Sequence, residues 1–176
     1  MKNALIGTFI AILILIFLQP LLETFNVLTQ KVELGAAILN SCRAARNNAL
    51  MDAYDGYGEQ NIGDLDAHID PDAFTRFFAQ AFEQTLNLTT VSISDDQIRF
   101  ESNDGHWNEI TIFISWEYDD TYSFGYDFIG RGMSRATLEV ETPYVLRTNI
   151  LRAAVGGAGF VFNITETRTF IVQIIN

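Results

Sequence analysis

Residues 4–49 read ALIGTFIAILILIFLQPLLETFNVLTQKVELGAAILNSCRAARNNA, and the fold turns on how this stretch is divided. From Ala4 to Leu18 it is almost wholly apolar, and Leu21 and Leu22 extend the run past Gln19-Pro20. A helix needs about 20 such residues to cross a bilayer. A cleaved secretory signal would show a small-x-small site after the run, whereas Gln19-Pro20-Leu21-Leu22-Glu23 follows. The periodicity then carries on. Phe25, Leu28, Val32, Gly35, Leu39 and Cys42 recur at alternating steps of three and four, and Val27, Leu34, Ile38, Ala45 and Ala49 widen the stripe. One helix is expected from about residue 2 to about residue 52, with Pro20 kinking it or melting a turn. Its first half is apolar all round, so Leu5, Phe9, Ile12 and Ile16 are expected in lipid or in a filament core. Its second half is amphipathic and needs a sheet to lie on. This divides the chain into a membrane or filament-core helix, 1–53, and a head domain, 54–176.

The charge follows the same division. The chain nets −11. Residues 1–50 carry Lys2, Lys31, Arg43 and Arg46 against Glu23 and Glu33, whereas residues 51–176 carry seven Arg and twenty acids. Residues 51–176 thus net −13 and residues 1–50 net +2. So acidic a surface excludes a nucleic-acid partner, which requires a basic face. Cys42, the single cysteine, excludes an intrachain disulfide and falls on the apolar stripe as a buried thiol. Lys2 at the start of the apolar run suits a cytoplasmic start and an extracytoplasmic head.

Within the head, Tyr54 to Ile69 is rich in Gly and Asp and reads as a loop. Asp70-Pro71-Asp72 then opens a helix, with Asp70 as N-cap and Pro71 at the first helical position. Its apolar face is Phe74, Phe77, Phe78, Ala81, Phe82 and Leu86. From Thr90 the period becomes two. Ile93 opposite Ile98 and Val91 opposite Phe100 imply a two-residue turn at Asp95-Asp96, and Asn103-Asp104-Gly105 is the next turn. Ile110, Ile112, Ile114, Trp116 and Tyr118 are answered by Tyr122, Phe124, Tyr126 and Phe128. Both sets share one face only if 118 opposes 122 across an odd loop at 119–121. Leu138 and Val140 follow, and Phe160, Phe162 and Ile164 are expected to pair with Phe170, Val172 and Ile174 across a turn at Glu166-Thr167. The class is α+β: a long N-terminal helix packed on an antiparallel meander with one additional helix.

The sequence shows no Gly-x-Ser-x-Gly elbow and no P-loop, and it assigns no catalytic residue, cofactor or metal. His106 and Glu109, three apart on a strand, point to opposite faces. Glu59, Asn61, Asp64, Asp66, Asp70 and Asp72 are enough oxygen ligands for calcium, but their order is not that of an EF-hand, and a solvated loop is the expectation. Asn87-Leu88-Thr89 and Asn163-Ile164-Thr165 match the glycosylation sequon at Asn87 and Asn163.

Two stretches carry a family resemblance. Gly35-Ala36-Ala37 through Cys42-Arg43-Ala44-Ala45-Arg46 looks like the Ala/Arg-rich end of the apolar helix in TadE-like pseudopilins of tight-adherence (Tad/Flp) pilus systems, a branch of the type IV pilin superfamily. Leu138-Glu139-Val140-Glu141-Thr142-Pro143-Tyr144 is similar to that family's alternating strand closing on a Pro-aromatic step, before a variable segment and a last strand. The resemblance covers about half the chain. It departs from the prepilin pattern at Ile12, where a Glu would follow the Gly7-Thr8 site, so peptidase processing does not come with it. It implies a homo-oligomeric helical filament built through the N-terminal helices. Such a subunit is held in the inner membrane before assembly, handled by the pilus assembly machinery, and used on the cell surface for attachment. Glu23 is then the acid available to pair with the amino terminus or Lys2 of a neighbouring copy, or else a residue at the membrane interface. The alternative expectation is a single-pass anchored binding or assembly module, a minor pseudopilin, that does not polymerise by itself.

Overall fold

The computed structural model describes residues 2–56, 69–94, 96–119, 132–146, 148, 152–153 and 161–172. It is an α+β fold: α1 (Lys2–Gly56), α2 (Pro71–Leu86), and strands β1 (Leu88–Ile93), β2 (Gln97–Ser102), β3 (Ile110–Asp119), β4 (Gly132–Val145) and β5 (Val161–Ile171). The strands form one antiparallel sheet in the order β1-β2-β3-β4-β5, a meander in which each strand lies beside its neighbour in sequence.

α1 is one unbroken 55-residue helix, about 80 Å long at 1.5 Å per residue. It continues through Pro20, whose carbonyl accepts a hydrogen bond from the Thr24 hydroxyl at 2.8 Å. The expected melted turn is absent: a proline removes only one donor, and the helix carries on past it. α2 begins as read: the Asp70 carboxylate accepts from the Ala73 N–H at 3.1 Å, with Pro71 in the first turn. It ends at Asn87, which takes the left-handed conformation (φ 53°) and returns its N–H to the Glu83 carbonyl.

Both helices cover one face of the sheet. Even-numbered residues point inward on four strands: Ile98 and Phe100 on β2, Ile110 to Ile114 on β3, Ala136 to Tyr144 on β4, and Ile164 and Glu166 on β5. α2 lays Phe74, Phe78 and Phe82, all fully buried, over β2 and β3, with Phe82 5.2 Å from Phe100 and Phe74 edge-on to Trp116 at 5.4 Å. α1 covers β5 and β4, and its Leu34, Ala37, Ile38, Cys42, Ala45 and Ala49 belong to the same core. The second half of α1 is therefore part of the head's hydrophobic core.

The structure corrects four details. The stripe of α1 is really two stripes. Val27, Gln30, Leu34, Ala37 and Ser41 turn toward the head, while Phe25, Leu28 and Val32 lie about 200° around the helix from residues 27, 30 and 34 and are exposed. Periodicity fixes the spacing of apolar residues but not which of two apolar faces meets the sheet. Phe100 opposes Thr90 rather than Val91, because a bulge between Thr90 and Ser92 turns Val91 outward; Ile93 does oppose Ile98. The partner of Tyr118 is Met133, since β3 pairs with β4. The aromatic run 122–128 and the odd loop at 119–121 fall outside the described residues except for Asp119. Finally, there is no turn at Glu166-Thr167: β5 runs straight through and pairs with β4 from Val145↔Val161 to Arg135↔Ile171. Polar residues at 165–169 resemble a turn, but no Gly, Pro, Asn or Asp is there to make one.

The core assignment predicts that Phe82→Ala lowers stability by about 3–5 kcal/mol. Ile93→Ala, at an exposed strand end, should cost well under half of that. Urea unfolding of the detergent-solubilised chain followed by tryptophan fluorescence checks both.

Candidate functional site

The first half of α1 is the feature from which a function can be built. Leu5, Phe9, Ile12 and Ile16 are exposed, as is every other residue from 5 to 22 on all sides of the helix except Gln19, which is half-buried. At about 27 Å for 18 residues, this rod matches the hydrocarbon thickness of a bilayer. α1 thus has the length and composition of a membrane anchor.

The rod ends at Glu23, the first acid in the chain. Only 4% of it is exposed. One carboxylate oxygen accepts from the Tyr144 hydroxyl at 2.5 Å and the other from the Thr148 backbone N–H at 2.6 Å. Both bonds cross more than 120 residues of sequence and join the helix to the end of β4. A buried carboxylate must be satisfied in this way or it costs several kcal/mol. Glu23 is therefore engaged within its own chain, at the level where the apolar rod ends. The sequence marked the residue but not its partners.

Farther along α1 a second polar contact holds the helix to β5. Glu166, on the inward face, sits 3.6 Å from Lys31 Nζ and 2.5 Å from the Arg168 guanidinium. Gly35 lies directly above, where a Cβ would stand 2.9 Å from the Arg168 guanidinium and 3.4 Å from the Glu166 carboxylate. Arg46 then reaches over the Phe170 ring at 5.5 Å. Sequence reasoning missed this cluster. The available signal was parity: an acid at an even position of β5 has to point inward and find a cation. Together these contacts lay α1 alongside β5 in the same direction, from Glu23 near the start of the strand to Arg46 near its end.

The remaining candidates do not converge. His106 is half-exposed, 3.6 Å from Glu33 on α1 and edge-on to Trp107 at 5.2 Å, while Glu109 pairs with Arg99. Asp104 organises the turn between them: the His106 N–H and then the Ser102 hydroxyl hold its carboxyl below the usual carboxylate range. Glu59, Asn61, Asp64 and Asp66 lie outside the described residues, and Asp70 is occupied as the cap of α2. Among the described residues no three His, Cys, Asp or Glu side chains are placed to hold a metal. Asn87 and Asn163 are both exposed, the first at the α2–β1 corner and the second on the outward face of β5. No family model, curated protein or solved structure matches the chain.

Two measurements follow. Tyr144→Phe should destabilise the head by about 2 kcal/mol, the value of a hydrogen bond to a charged group. Tyr144→Phe made on top of Glu23→Gln should cost less than it does alone, and a double-mutant cycle in urea reads the coupling. Burial pushes the Cys42 thiol up to about 12, from 9.0. The native protein should then resist thiol reagents at pH 8 and react at once when unfolded. Because the unfolded thiol ionises first, stability contributed by this group is intact below pH 9 and falls as the pH rises from there toward 12.

Proposed function

We propose that this chain is a pilin-like structural subunit, of the TadE-like kind, that rests in the cytoplasmic membrane through α1 and polymerises through the same helix into an extracellular filament used for attachment. One observation carries the reading. α1 leaves apolar surface unfilled in two places with different needs. Residues 5–22 are apolar all round and are satisfied by lipid. Beyond Glu23 the head has begun, yet Phe25, Leu28 and Val32 stay exposed, at 68%, 56% and 70%.

With Leu18 and Leu21 they step by three and four, the a/d spacing of a helix that packs on another helix. A plain anchor has no use for this extension. A second helix lying along the first would bury it together with the rod. The reading assigns the head no catalytic role; its acidic outer surface is what a filament would present to its surroundings. Partners are other copies of the chain, the membrane before assembly, and the assembly machinery.

Negative-stain imaging of cells with and without the gene tests the proposal directly. Filaments should vanish with the gene and return with the wild-type chain. They should not return with Phe25→Asp/Val32→Asp, a pair on the exposed stripe that leaves the head's core untouched. A full-length protein that stays monomeric in detergent and yields no filament on cells would instead make this an anchored minor pseudopilin.

A further inference from the structure

The exposed stripe of α1 that ends in Phe25, Leu28 and Val32 continues down the rod, below Leu18, through Ile14, Ala11 and Gly7 at the same alternating steps. Its two ends differ in size. The upper end carries large side chains, and the lower end a glycine and an alanine. Glycine is a weak residue inside a helix, and its own chain does not call for it here: a Cβ at position 7 would meet nothing within 4 Å. Small residues on a helix face let a second backbone come close.

Large and small match at one displacement. Leu28 lies 21 positions beyond Gly7, and Val32 lies 21 beyond Ala11. That is three heptads, so the stripes of two parallel copies still face each other when one is shifted by this amount. The polar residues beside the seam agree: Asn3 of one copy comes to Thr29 of the other and Thr8 to Thr24, all four exposed. A shift of 7 sets Asn3 and Thr8 against Leu15 and Ile10, and a shift of 14 sets them against Leu22 and Phe17. No shift at all puts Gly7 on Gly7 and Phe25 on Phe25, so the helices close at one end and crowd at the other. It also sets side by side two copies of residues 51–176, each netting −13. A shift of 21 residues moves those charges about 31 Å apart along the axis, several times the Debye length of about 8 Å.

We infer that successive copies of this chain pack with their α1 helices parallel and displaced by 21 residues, so that Leu28 and Val32 of one copy seat on Gly7 and Ala11 of the next. This deepens the filament reading and rests on it. The displacement of about 31 Å matches the hydrocarbon thickness of a bilayer, about 30 Å. A copy raised by that much has its rod clear of lipid. The lower end of its rod then lies where the copy still in the membrane exposes Leu28 and Val32. The surface used at the lower end of α1 differs from the one used at the upper end, so the contact is heterologous and every pair keeps an unused surface at each end. Such a contact does not close into a dimer; it extends into a polymer.

Cysteine pairs read the displacement. In the full chain with Cys42→Ala, expressed in cells in place of the wild type, Gly7→Cys/Leu28→Cys and Ala11→Cys/Val32→Cys each put one thiol at either end of the contact. Oxidation with copper phenanthroline should give a ladder of dimer, trimer and higher bands on a non-reducing gel, because each copy is linked to two others. Each cysteine alone should leave monomer, as should Gly7→Cys/Leu21→Cys, whose thiols are 14 positions apart. The second pair keeps the test standing where a cysteine at Gly7 disturbs the helix. A dimer from Gly7→Cys alone would mean that the copies lie level, and would overturn the displacement. Filaments on the cells with only monomer from both pairs would also overturn it and leave the filament reading intact. Monomer from both pairs, in cells whose wild type makes no filament, would remove both.

Discussion

The carboxylate of Glu23 is the point at which the exposed apolar rod ends and the packed head begins. Below it the chain is a bare helix whose side chains ask for hydrocarbon. Above it the same helix turns a different face to a sheet and becomes part of a soluble core. An ionised carboxylate is out of place in lipid, and a buried one requires donors. The Tyr144 hydroxyl and the Thr148 N–H supply them, so the exposed rod gives way to the packed head at a defined residue. That bond pair also sets the rotation of α1. With Glu23 turned inward, Val27, Gln30 and Leu34 follow it toward the sheet, and Phe25, Leu28 and Val32 are committed to the outside.

The rest of the helix–sheet contact is consistent with this rotation. Gly35 lets the helix pass over the Glu166–Arg168 pair, Lys31 brings a second cation to Glu166, and small residues at 37, 41, 42, 45 and 49 keep the helix close to the sheet. α2 does the opposite on the other half of the sheet, filling space with three stacked phenylalanines. Small side chains on one helix and large ones on the other let two neighbouring helices cover a single twisted sheet.

Much of this was legible from the residues. The long helix, the Asp70-Pro71 cap and the even-numbered inward face of β2, β3 and β4 all follow from short-range chemistry that a sequence displays directly. What was not legible is long-range. Val91 alternates like a core residue, and only the bulge opposite Arg99 and Phe100 turns it out. Glu166-Thr167 looked like a turn because a buried acid and a solvated one are the same letter. Its partner Lys31 is 135 positions away. The two stripes of α1 merge in projection, and separating them requires knowing which face Glu23 occupies. For the candidate site, the exposed rod was visible at once, whereas the residues that terminate it were not.

The alignment of α1 with β5 has a mechanical side. A pull on the N-terminal rod enters the head along the strand direction, because helix and strand run the same way from the same end. Load applied in that direction enters β4 through Tyr144 and β5 through Glu166 and Phe170, and it acts along the ladder from Val145↔Val161 to Arg135↔Ile171 instead of peeling it rung by rung. The head is thus joined to its stalk in shear, the geometry in which a hydrogen-bonded ribbon is hardest to tear.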